Sequence, residues 1–318
     1  MARKPSPHRR RFLKQSAVVT AATALTSPVI VSTNETNSHL QTRSHADDAP
    51  TISVFTKPFN SLSFEDLAKS IADAGFDGIE APIRRGGHID LAKVEEELPQ
   101  LVDALKQQQL QISIMASDIN RVDERSGRIL KVAAELGIKR YRLAYFKYDL
   151  SKNIKAQLKN WTKTLSDLAA MNRELGIVGL YQNHVGTNTF GAALWDLAEV
   201  VEAVDSEFLG ITYDIRHATA EGGTSWKTTM RRVMPLVQMM YAKDFRWTEK
   251  GKIKNVPLGD GLISNKFYQL ATEFGFSGPI SLHEEYLSHK DPSLVPQHLE
   301  AMKKDLQVLK KWISASKK

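Results

Sequence analysis

Short apolar runs alternate with helical segments from Thr51 onward, and this alternation constrains the fold more than any other feature of the chain. Apolar runs separated by amphipathic helices predict parallel strands joined by crossover helices. Eight such units over about 265 residues predict an α/β fold of the closed (β/α)8 type, a TIM barrel, which typically takes about 250 residues. The predicted strands are Ile52–Thr56, Asp77–Ala81, Gln111–Met115, Arg140–Ala144, Val178–Gln182, Leu209–Asp214, Val237–Lys243 and Pro279–Glu284. The predicted helices are Phe64–Ala74, Leu91–Gln109, Glu124–Leu136, Ile154–Leu175, Ala192–Val204, Asn265–Phe274 and Pro296–Ile313.

A doubly wound open sheet is the alternative architecture for the same alternation. The first predicted strand–helix turn reads TKPFNSLSFED, which contains no Gly-x-Gly-x-x-Gly, and no Walker pattern occurs in the chain. A dinucleotide site or a P-loop therefore lacks its usual sequence signal. We favour the closed barrel.

The basic excess of the chain is concentrated at its N-terminus. The sequence has 43 Lys and Arg against 36 Asp and Glu, and residues 1–33 hold six of the cations and no acid. The net charge of +7 alone would suggest binding to nucleic acid or to a membrane surface. Without the six cations, 37 basic residues face 36 acidic ones, so we expect no nucleic-acid partner for the folded part.

The N-terminal segment resembles a twin-arginine export signal. The run Arg9–Lys14 reads Arg-Arg-Arg-Phe-Leu-Lys, and an uncharged stretch follows it. His8 stands where that signal usually has Ser or Thr. We predict an export signal over residues 1–33, a polar linker over 34–50 and the barrel domain over 51–318. The expected partner is the twin-arginine export machinery, and the expected location is periplasmic or otherwise exported.

Two limits accompany the predicted signal. The apolar run is short and rich in Thr, so we expect no stable membrane span. A basic tail on a cytoplasmic protein is the alternative interpretation of residues 1–33.

Polar residues cluster where the predicted strands end. In a (β/α)8 barrel these ends form the face that carries active sites. Because side chains alternate along a strand, Gln182 and His184 share one face, as do Tyr241 and Lys243, and His283 and Glu285. We therefore expect hydrogen-bonding and ionisable groups to converge at this face. The strand-end residues are Glu80, Ser117, Asp118, Gln182, Asn183, His184, Asp214, Arg216, His217, Tyr241, Lys243, Asp244, His283, Glu284, Glu285 and Tyr286.

These strand ends resemble those of the sugar phosphate isomerase/epimerase family, the xylose isomerase-like barrels, over residues 51–314. The family marks appear here as Gly-Ile-Glu at 78–80, Gln-Asn-His at 182–184, Asp-x-x-His at 214–217, Tyr-x-Lys-Asp at 241–244, Pro-Leu-Gly-Asp-Gly at 257–261 and a glutamate at 285. The family has Glu-Asn-His and His-x-Lys-Asp in the second and fourth of these motifs, so two positions depart from its pattern.

The resemblance implies a divalent metal ion at the strand ends, as Mn, Mg, Zn or Co. By position its ligands would be Gln182, Asp214, Tyr241 and Glu285. Gln182 still offers a carbonyl oxygen to a hard cation, whereas Tyr241 replaces an imidazole poorly. A histidine could complete the set, as His184, His217 or His283. The chain has no cysteine, so oxygen and imidazole nitrogen must supply every donor. We predict the ligand set Asp214, Glu285, Gln182 and His283.

The resemblance further implies a carbohydrate substrate and an isomerase or epimerase that moves a proton beside a carbonyl with the help of the metal. Glu285 is the expected base, His184 or His217 binds hydroxyls or returns the proton, and Lys243 stabilises the oxyanion or pairs with Asp244. The expected substrate-binding residues are Glu80, Trp226, Trp247 and Tyr241.

The same strand-end residues are compatible with other functions. One is a lyase or hydrolase acting on oxidised (3-keto) glycosides, which needs fewer bases. Another is a non-catalytic sugar-binding barrel that has lost its metal. The related barrel endonucleases that cut abasic DNA are disfavoured, because too few of the nine histidines fall at strand ends.

Overall fold

The computed structural model describes residues 50–316. The predicted export signal over 1–33 and all but the last residue of the predicted linker lie outside these residues. Within residues 50–316, no helix is long and apolar enough to cross a membrane.

Eight parallel strands close into a ring, which confirms the predicted barrel. Each strand of the ring pairs with the next, and the last pairs with the first through Ile52 and Ile280. The ring strands are β1 Ile52–Phe55, β2 Gly78–Pro82, β3 Gln111–Ala116, β4 Arg140–Arg142, β5 Val178–Gln182, β6 Leu209–Asp214, β7 Val237–Ala242 and β10 Ile280–Leu282. Between the last two of them, β8 Asp244–Trp247 and β9 Ile253–Val256 form an antiparallel hairpin outside the ring.

Nine helices surround the ring in the described part of the chain. They are α1 Phe64–Ala74, α2 Val94–Gln107, α3 Glu124–Glu135, α4 Ile154–Leu175, α5 Leu194–Val204, α6 Ile215–Gly222, α7 Trp226–Val233, α8 Lys266–Glu273 and α9 Val295–Ser316. All seven predicted helices are present, with bounds that differ by at most three residues at either end. The sequence patterns did not predict α6, α7 or the β8–β9 hairpin.

Local chemistry fixes several of these helix ends. The Ser63 side chain accepts a hydrogen bond from the backbone of Asp66 and so caps the first turn of α1. The same helix ends at Gly75, whose φ of 87° is open to glycine at little cost. Asp123 and Ser126 form a reciprocal capping box at the start of α3.

The apolar core has two parts. The larger part lies between the ring and the surrounding helices. The smaller part lies inside the ring, where Ile114, Leu180, Met239 and Tyr241 pack together below the strand ends. The middle of the barrel interior is therefore filled with side chains.

Two register shifts change the direction of side chains at the C-terminal ends of the strands, which form the upper face of the barrel. One falls between Ile79 and Glu80 on β2, and the other between Ile211 and Thr212 on β6. An irregularity of this kind rotates the residues that follow it relative to the neighbouring strand. It thereby sets the direction of Glu80 and Asp214, which are both fully buried at the centre of the polar cluster described next.

Candidate active site

A cavity of about 160 Å³ opens at the C-terminal ends of the strands. This is smaller than the roughly 300–1,000 Å³ of pockets for drug-sized ligands, so it suits one small ligand. Its lining residues are Phe55, Lys57, Arg84, Arg142, Tyr145, Gln182, His184, Lys243, His283 and Glu285. A larger cavity of about 720 Å³ lies at the opposite end of the barrel, away from every predicted site residue.

Glu80 is the anchor beneath this cavity. Its carboxylate accepts hydrogen bonds from Tyr241 Oη at 3.1 Å and Ser281 Oγ at 3.0 Å, and His283 Nε2 lies 2.7 Å from it. Arg142 Nε lies 3.1 Å away as an ion-pair partner. Burial alone would raise the pKa of Glu80, but the interactions with His283 and Arg142 and the hydrogen bonds lower it to about 2. The carboxylate therefore stays ionised although it is fully buried.

Arg142 connects this anchor to the cavity wall. Its Nη1 donates to Tyr145 Oη and to Gln182 Oε1, both at 2.8 Å. Tyr145 Oη also donates to Gln182 Oε1. The amide oxygen of Gln182 thus receives two donors, and its Nε2 donates to Asp214 Oδ2 at 2.7 Å. No sequence pattern points to Arg142 or Tyr145 as members of this network, because both follow from the assembled barrel.

Lys243 lies between two carboxylates. Its Nζ is 3.0 Å from Asp214 Oδ2 and 3.1 Å from Glu285 Oε2. Burial would lower the pKa of Lys243, but the two carboxylates outweigh this and raise it above its usual range. Burial would likewise raise the pKa of Glu285, and the neighbouring Lys243 and His283 bring it well below its usual range. Lys243 and Glu285 are therefore both charged at neutral pH.

The predicted metal ligands do not fit a divalent ion as they are arranged here. The ammonium of Lys243 lies between Asp214 and Glu285, where their shared cation would be. Gln182 turns its amide nitrogen, a donor, toward Asp214, while its oxygen is already hydrogen-bonded. His283 faces Glu80 through Nε2. Within residues 50–316, no three His, Cys, Asp or Glu side chains are grouped so as to hold a metal.

Tyr241 fits a metal least of the positions the resemblance implied. Its hydroxyl donates to Glu80, and burial together with that carboxylate raises its pKa well above its usual range. It is therefore a neutral phenol under the cavity.

Two histidines, His184 and His217, lie in contact beside Lys243, with ring centroids 4.0 Å apart and planes tilted by 38°. His184 Nδ1 lies 2.9 Å from the carbonyl oxygen of Val185, which can only accept, so Nδ1 carries the proton and Nε2 keeps a free lone pair. His217 Nδ1 accepts from Arg216, and its Nε2 lies 3.5 Å from Asp214 Oδ2. Burial and the charge of Lys243 lower the pKa of both rings, so both are neutral at pH 7. His184 lines the cavity, whereas His217 lies outside its lining.

Asp214 is held from both sides by its own backbone contacts. Asn183 accepts from its backbone N–H at 2.7 Å and donates to its carbonyl oxygen at 3.1 Å. Asp214 Oδ1 accepts from the backbone of His217 at 2.9 Å and so caps α6. The carboxylate beside Lys243 is therefore fixed by the strand and the helix together.

Asp244 faces away from Lys243, which corrects the expected pair of these two residues. Its carboxylate accepts from the backbone N–H groups of Phe245, Gly259, Gly261 and Ile263. A Cβ at Gly261 would lie 2.2 Å from Asp244 Oδ1, so glycine is required there. The Pro-Leu-Gly-Asp-Gly motif is thus a loop folded around Asp244.

Two further buried carboxylates are Glu284, which follows β10, and Asp305, which lies on α9. Glu284 accepts from the backbone of Tyr286 and Leu287 and contacts His298 Nδ1. Asp305 accepts from Leu258 N at 3.0 Å and Tyr286 Oη at 3.1 Å. Burial raises the pKa of Asp305 to about 7. These groups join α9 to the upper loops and do not line the cavity.

The four predicted substrate-binding residues all lie outside the lining of the cavity. Glu80 and Tyr241 are fully buried below it. Trp226 stacks on Phe267 with centroids 3.9 Å apart, in the helix layer. Trp247 is 48% exposed at the end of β8. The cavity is instead lined by Phe55 and Tyr145 and by cations that follow the first two strands.

The geometry of barrel and cavity agrees with comparisons to known proteins. Residues 68–312 match the family described as Xylose isomerase-like TIM barrel, and the chain belongs to this family. No match was found among curated proteins.

Solved structures of similar fold include a keto-glucoside epimerase, a probable dehydratase and a zinc-bound protein. The 3-keto-D-glucoside 4-epimerase YcjR of E. coli is 16% identical with a TM-score of 0.62, over 82% of this chain and 99% of that one. The probable 3-DHS dehydratase AsbF of Bacillus anthracis is also 16% identical, with a TM-score of 0.64 over 82% and 98%. The IOLI protein with a bound zinc atom is 16% identical, with a TM-score of 0.68 over 84% and 99%. At such identities the likeness shows the shared fold.

Proposed function

We propose that the protein is a sugar isomerase or epimerase that moves a proton on the carbon next to a carbonyl. The observation that carries this proposal is the ammonium of Lys243, held 3.0 Å and 3.1 Å from Asp214 and Glu285 at the wall of a small cavity. A fixed cation beside a partly exposed carboxylate supplies both an electrophile and a base. The family and its sugar-epimerase relatives support the same class of reaction.

The roles follow from charge and access. The carboxylate of Glu285 accepts the proton from the carbon, the electron pair of that C–H bond forms the C=C bond of the enediolate, and the C=O π pair moves to the carbonyl oxygen. The protonated Glu285 then returns a proton to the enediolate to give the product. The ammonium of Lys243 stabilises the resulting enediolate oxygen in a largely desolvated site. Because its pKa is held low, Glu285 is a weak base in the free protein. The free Nε2 lone pair of His184 at the same cavity provides the second proton acceptor.

The proposed mechanism routes no step through a metal ion. Some relatives were solved with bound zinc or magnesium, and a divalent ion in this chain stays a prediction. The residues described above do not fit one, because Lys243 supplies the positive charge between Asp214 and Glu285. Metal analysis of the purified protein tests this directly.

Exchange of a carbon-bound proton with solvent tests the reaction. The protein is incubated in deuterated water with D-fructose, D-tagatose and a 3-keto-glucoside, and deuterium uptake is followed by NMR. We expect uptake beside the carbonyl of at least one sugar, and a loss of roughly 10²–10⁴-fold in Glu285→Gln. The matched control is Glu249→Gln, an exposed carboxylate on the hairpin turn. Absence of uptake with all three sugars, or equal rates in Glu285→Gln and wild type, would overturn the proposal.

A lyase reaction on 3-keto glycosides is the second candidate function. One observation favours it: Glu285 is the single carboxylate among the residues that line the cavity. A two-base epimerisation has only the weakly basic His184 as its second base, whereas elimination of the aglycone uses one base and a proton donor. Release of p-nitrophenol from a p-nitrophenyl 3-keto-glucoside, faster than deuterium uptake into the sugar, would decide for the lyase.

Export is a separate proposal that rests on the sequence of residues 1–33. We propose that the Arg9-Arg10 pair directs the chain to the twin-arginine machinery, so that the barrel works outside the cytoplasm. Replacement of both arginines by lysine should retain the protein in the cytoplasmic fraction. Unchanged export of that variant would contradict the proposal.

A further inference from the structure

Cations outnumber carboxylates at the candidate active-site cavity. Four of its lining residues are Lys57, Arg84, Arg142 and Lys243, whereas Glu285 is the single carboxylate among them. Arg142 and Lys243 are matched by the buried anchors Glu80 and Asp214. The remaining two cations, Lys57 and Arg84, have no such buried counter-charge, so their presence at the cavity needs another explanation.

Lys57 and Arg84 lack partners of their own in the described part of the chain. Lys57 follows β1 and Arg84 follows β2, and both side chains are half-buried at the rim of the cavity. Among the residues that the structure describes, the ion pairs at this rim are those of Arg142, Lys243 and His283. Within residues 50–316, neither Lys57 nor Arg84 has a side-chain hydrogen bond or ion pair there. A half-buried cation without an anionic partner loses hydration, and the Phe55 ring beside Arg84 repays only part of that loss.

Arg84 also shares an aromatic neighbour with Arg142. The guanidinium carbons of Arg84 and Arg142 lie 5.7 Å and 5.6 Å from the centre of the same Phe55 ring. Burial lowers the pKa of Lys57, and after the opposing effect of Glu285 the repulsion of Arg84, Arg142 and Lys243 lowers it further. Burial and the repulsion of Arg142 likewise lower the pKa of Arg84, and the attraction of Glu80, Tyr145 and Asp118 offsets only part of this. The rim thus has a positive charge that an anion would relieve.

We propose that Lys57 and Arg84 form a subsite for an anionic group of the substrate, a carboxylate carried by the sugar. The inference rests on the proposed function, because it names the substrate class of that same cavity. A guanidinium binds the two oxygens of a carboxylate in one plane, and an ammonium adds a point charge beside it. A cavity of about 160 Å³ leaves little room beyond one sugar ring, so the compact carboxylate fits better than a phosphate.

Direct binding tests this subsite independently of turnover. Isothermal titration of the full chain at low salt compares D-glucuronate, D-glucose and D-glucose 6-phosphate as probes. We expect D-glucuronate to bind most tightly. Loss of one charge-assisted hydrogen bond in Arg84→Gln or Lys57→Gln should weaken it by about 10-fold or more. The control Arg85→Gln removes the adjacent, exposed guanidinium, which does not line the cavity, and should leave the affinity unchanged.

The stability of the free protein gives a second, ligand-free measurement. If Lys57 and Arg84 are held unpaired for a ligand, Arg84→Gln should raise the melting temperature of the free protein or leave it unchanged. A clear fall would show a structural cation and would overturn the proposal, as would equal binding of D-glucose and D-glucuronate or failure of all three probes to bind. Preference for D-glucose 6-phosphate would overturn the carboxylate assignment.

The subsite and the proposed reaction can fail separately. Glu285→Gln should abolish deuterium uptake and still bind D-glucuronate. If D-glucuronate binds through Arg84 while no sugar exchanges deuterium, the subsite holds and the proposed reaction fails. If a keto-sugar exchanges deuterium while D-glucuronate binds wild type and Arg84→Gln equally, the reaction holds and the subsite fails.

Discussion

Replacement of Lys243 by methionine should destabilise the fold strongly, because it removes the cation shared by two carboxylates. Methionine keeps a similar length and removes the charge that lies 3.0 Å from Asp214 and 3.1 Å from Glu285. Breaking a buried ion pair from one side typically costs about 3–5 kcal/mol of unfolding free energy. The Asp214 side chain is 0% exposed and cannot reach water, whereas the Glu285 side chain is 32% exposed and can. Most of the cost should therefore come from Asp214.

Double variants show which of the two carboxylates causes the loss of unfolding free energy in Lys243→Met. Adding Glu285→Gln to Lys243→Met should recover less than about 1 kcal/mol, while adding Asp214→Asn should recover roughly half of the loss. The recovery by Asn is incomplete because its amide nitrogen would face Gln182 Nε2, a second donor. Urea titration at 25 °C gives the free energy of unfolding for each variant. Lys254→Met, an exposed lysine on β9, is the matched control and should stay within about 0.5 kcal/mol of wild type.

The same experiment has a predicted pH dependence. The folded protein holds the pKa of Glu285 below its ordinary value of 4.5, so this group stabilises the fold above pH 4.5 and loses that contribution as the pH falls further. Without Lys243 the largest cause of that low pKa is gone. The difference between wild type and Lys243→Met should therefore shrink from pH 7 to pH 3. A difference below about 1 kcal/mol at pH 7, or the same difference at both pH values, would refute the reasoning.

Two further predictions concern the other buried carboxylates. Glu80→Gln should lower the unfolding free energy by about 3–5 kcal/mol at pH 7, because Arg142 would lose its buried counter-charge; since folding lowers the pKa of Glu80 from 4.5 to about 2, urea titration should show the difference fading between those pH values. For Asp305 the sign is opposite, since folding raises its pKa from 3.8 to about 7 and the wild type loses stability as the pH rises between these values. Asp305→Asn should therefore melt higher relative to wild type at pH 8 than at pH 4 in calorimetry, and a constant offset would contradict the assignment.

The sequence predicts the barrel well because most ring strands are short, buried and largely apolar runs; β4, Arg-Tyr-Arg, is the exception. Val178–Gln182 and Leu209–Asp214 end where the patterns place them. The patterns missed α6 because it starts at Ile215, directly after β6, with Asp214 serving as strand end and helix cap at once. No loop residues mark that boundary. The patterns missed the β8–β9 hairpin for a similar reason. The hairpin begins at Asp244, so Lys243 alone separates it from the end of β7 and no loop marks the boundary.

The candidate site was predictable in its position but not in its pairings. The expected pair of Lys243 and Asp244 does not form, because side chains alternate along a strand and these two neighbours point to opposite faces. The partners of Lys243, by contrast, depend on the register shift within β6 and on the closing of the ring, which no sequence spacing records. Lys57 and Arg84 follow the first two strands in segments that resemble ordinary polar turns. Their shared position at one rim emerges only from the assembled barrel.

The hydrogen bonds of Glu80 connect β2, near the start of the barrel, to β10 and the residues that follow it. Its partners Ser281 and His283 lie 201 and 203 residues further along the sequence. Contacts of such long range are reached only after most of the chain has been ordered, because loop closure costs entropy before it is rewarded. During folding, a ring that lacks β10 holds Glu80 without two of its donors and Lys243 without Glu285. We therefore expect the candidate site to be completed in the same late folding step in which the last strand docks. Before that step, the barrel has buried charged groups without their partners at this end.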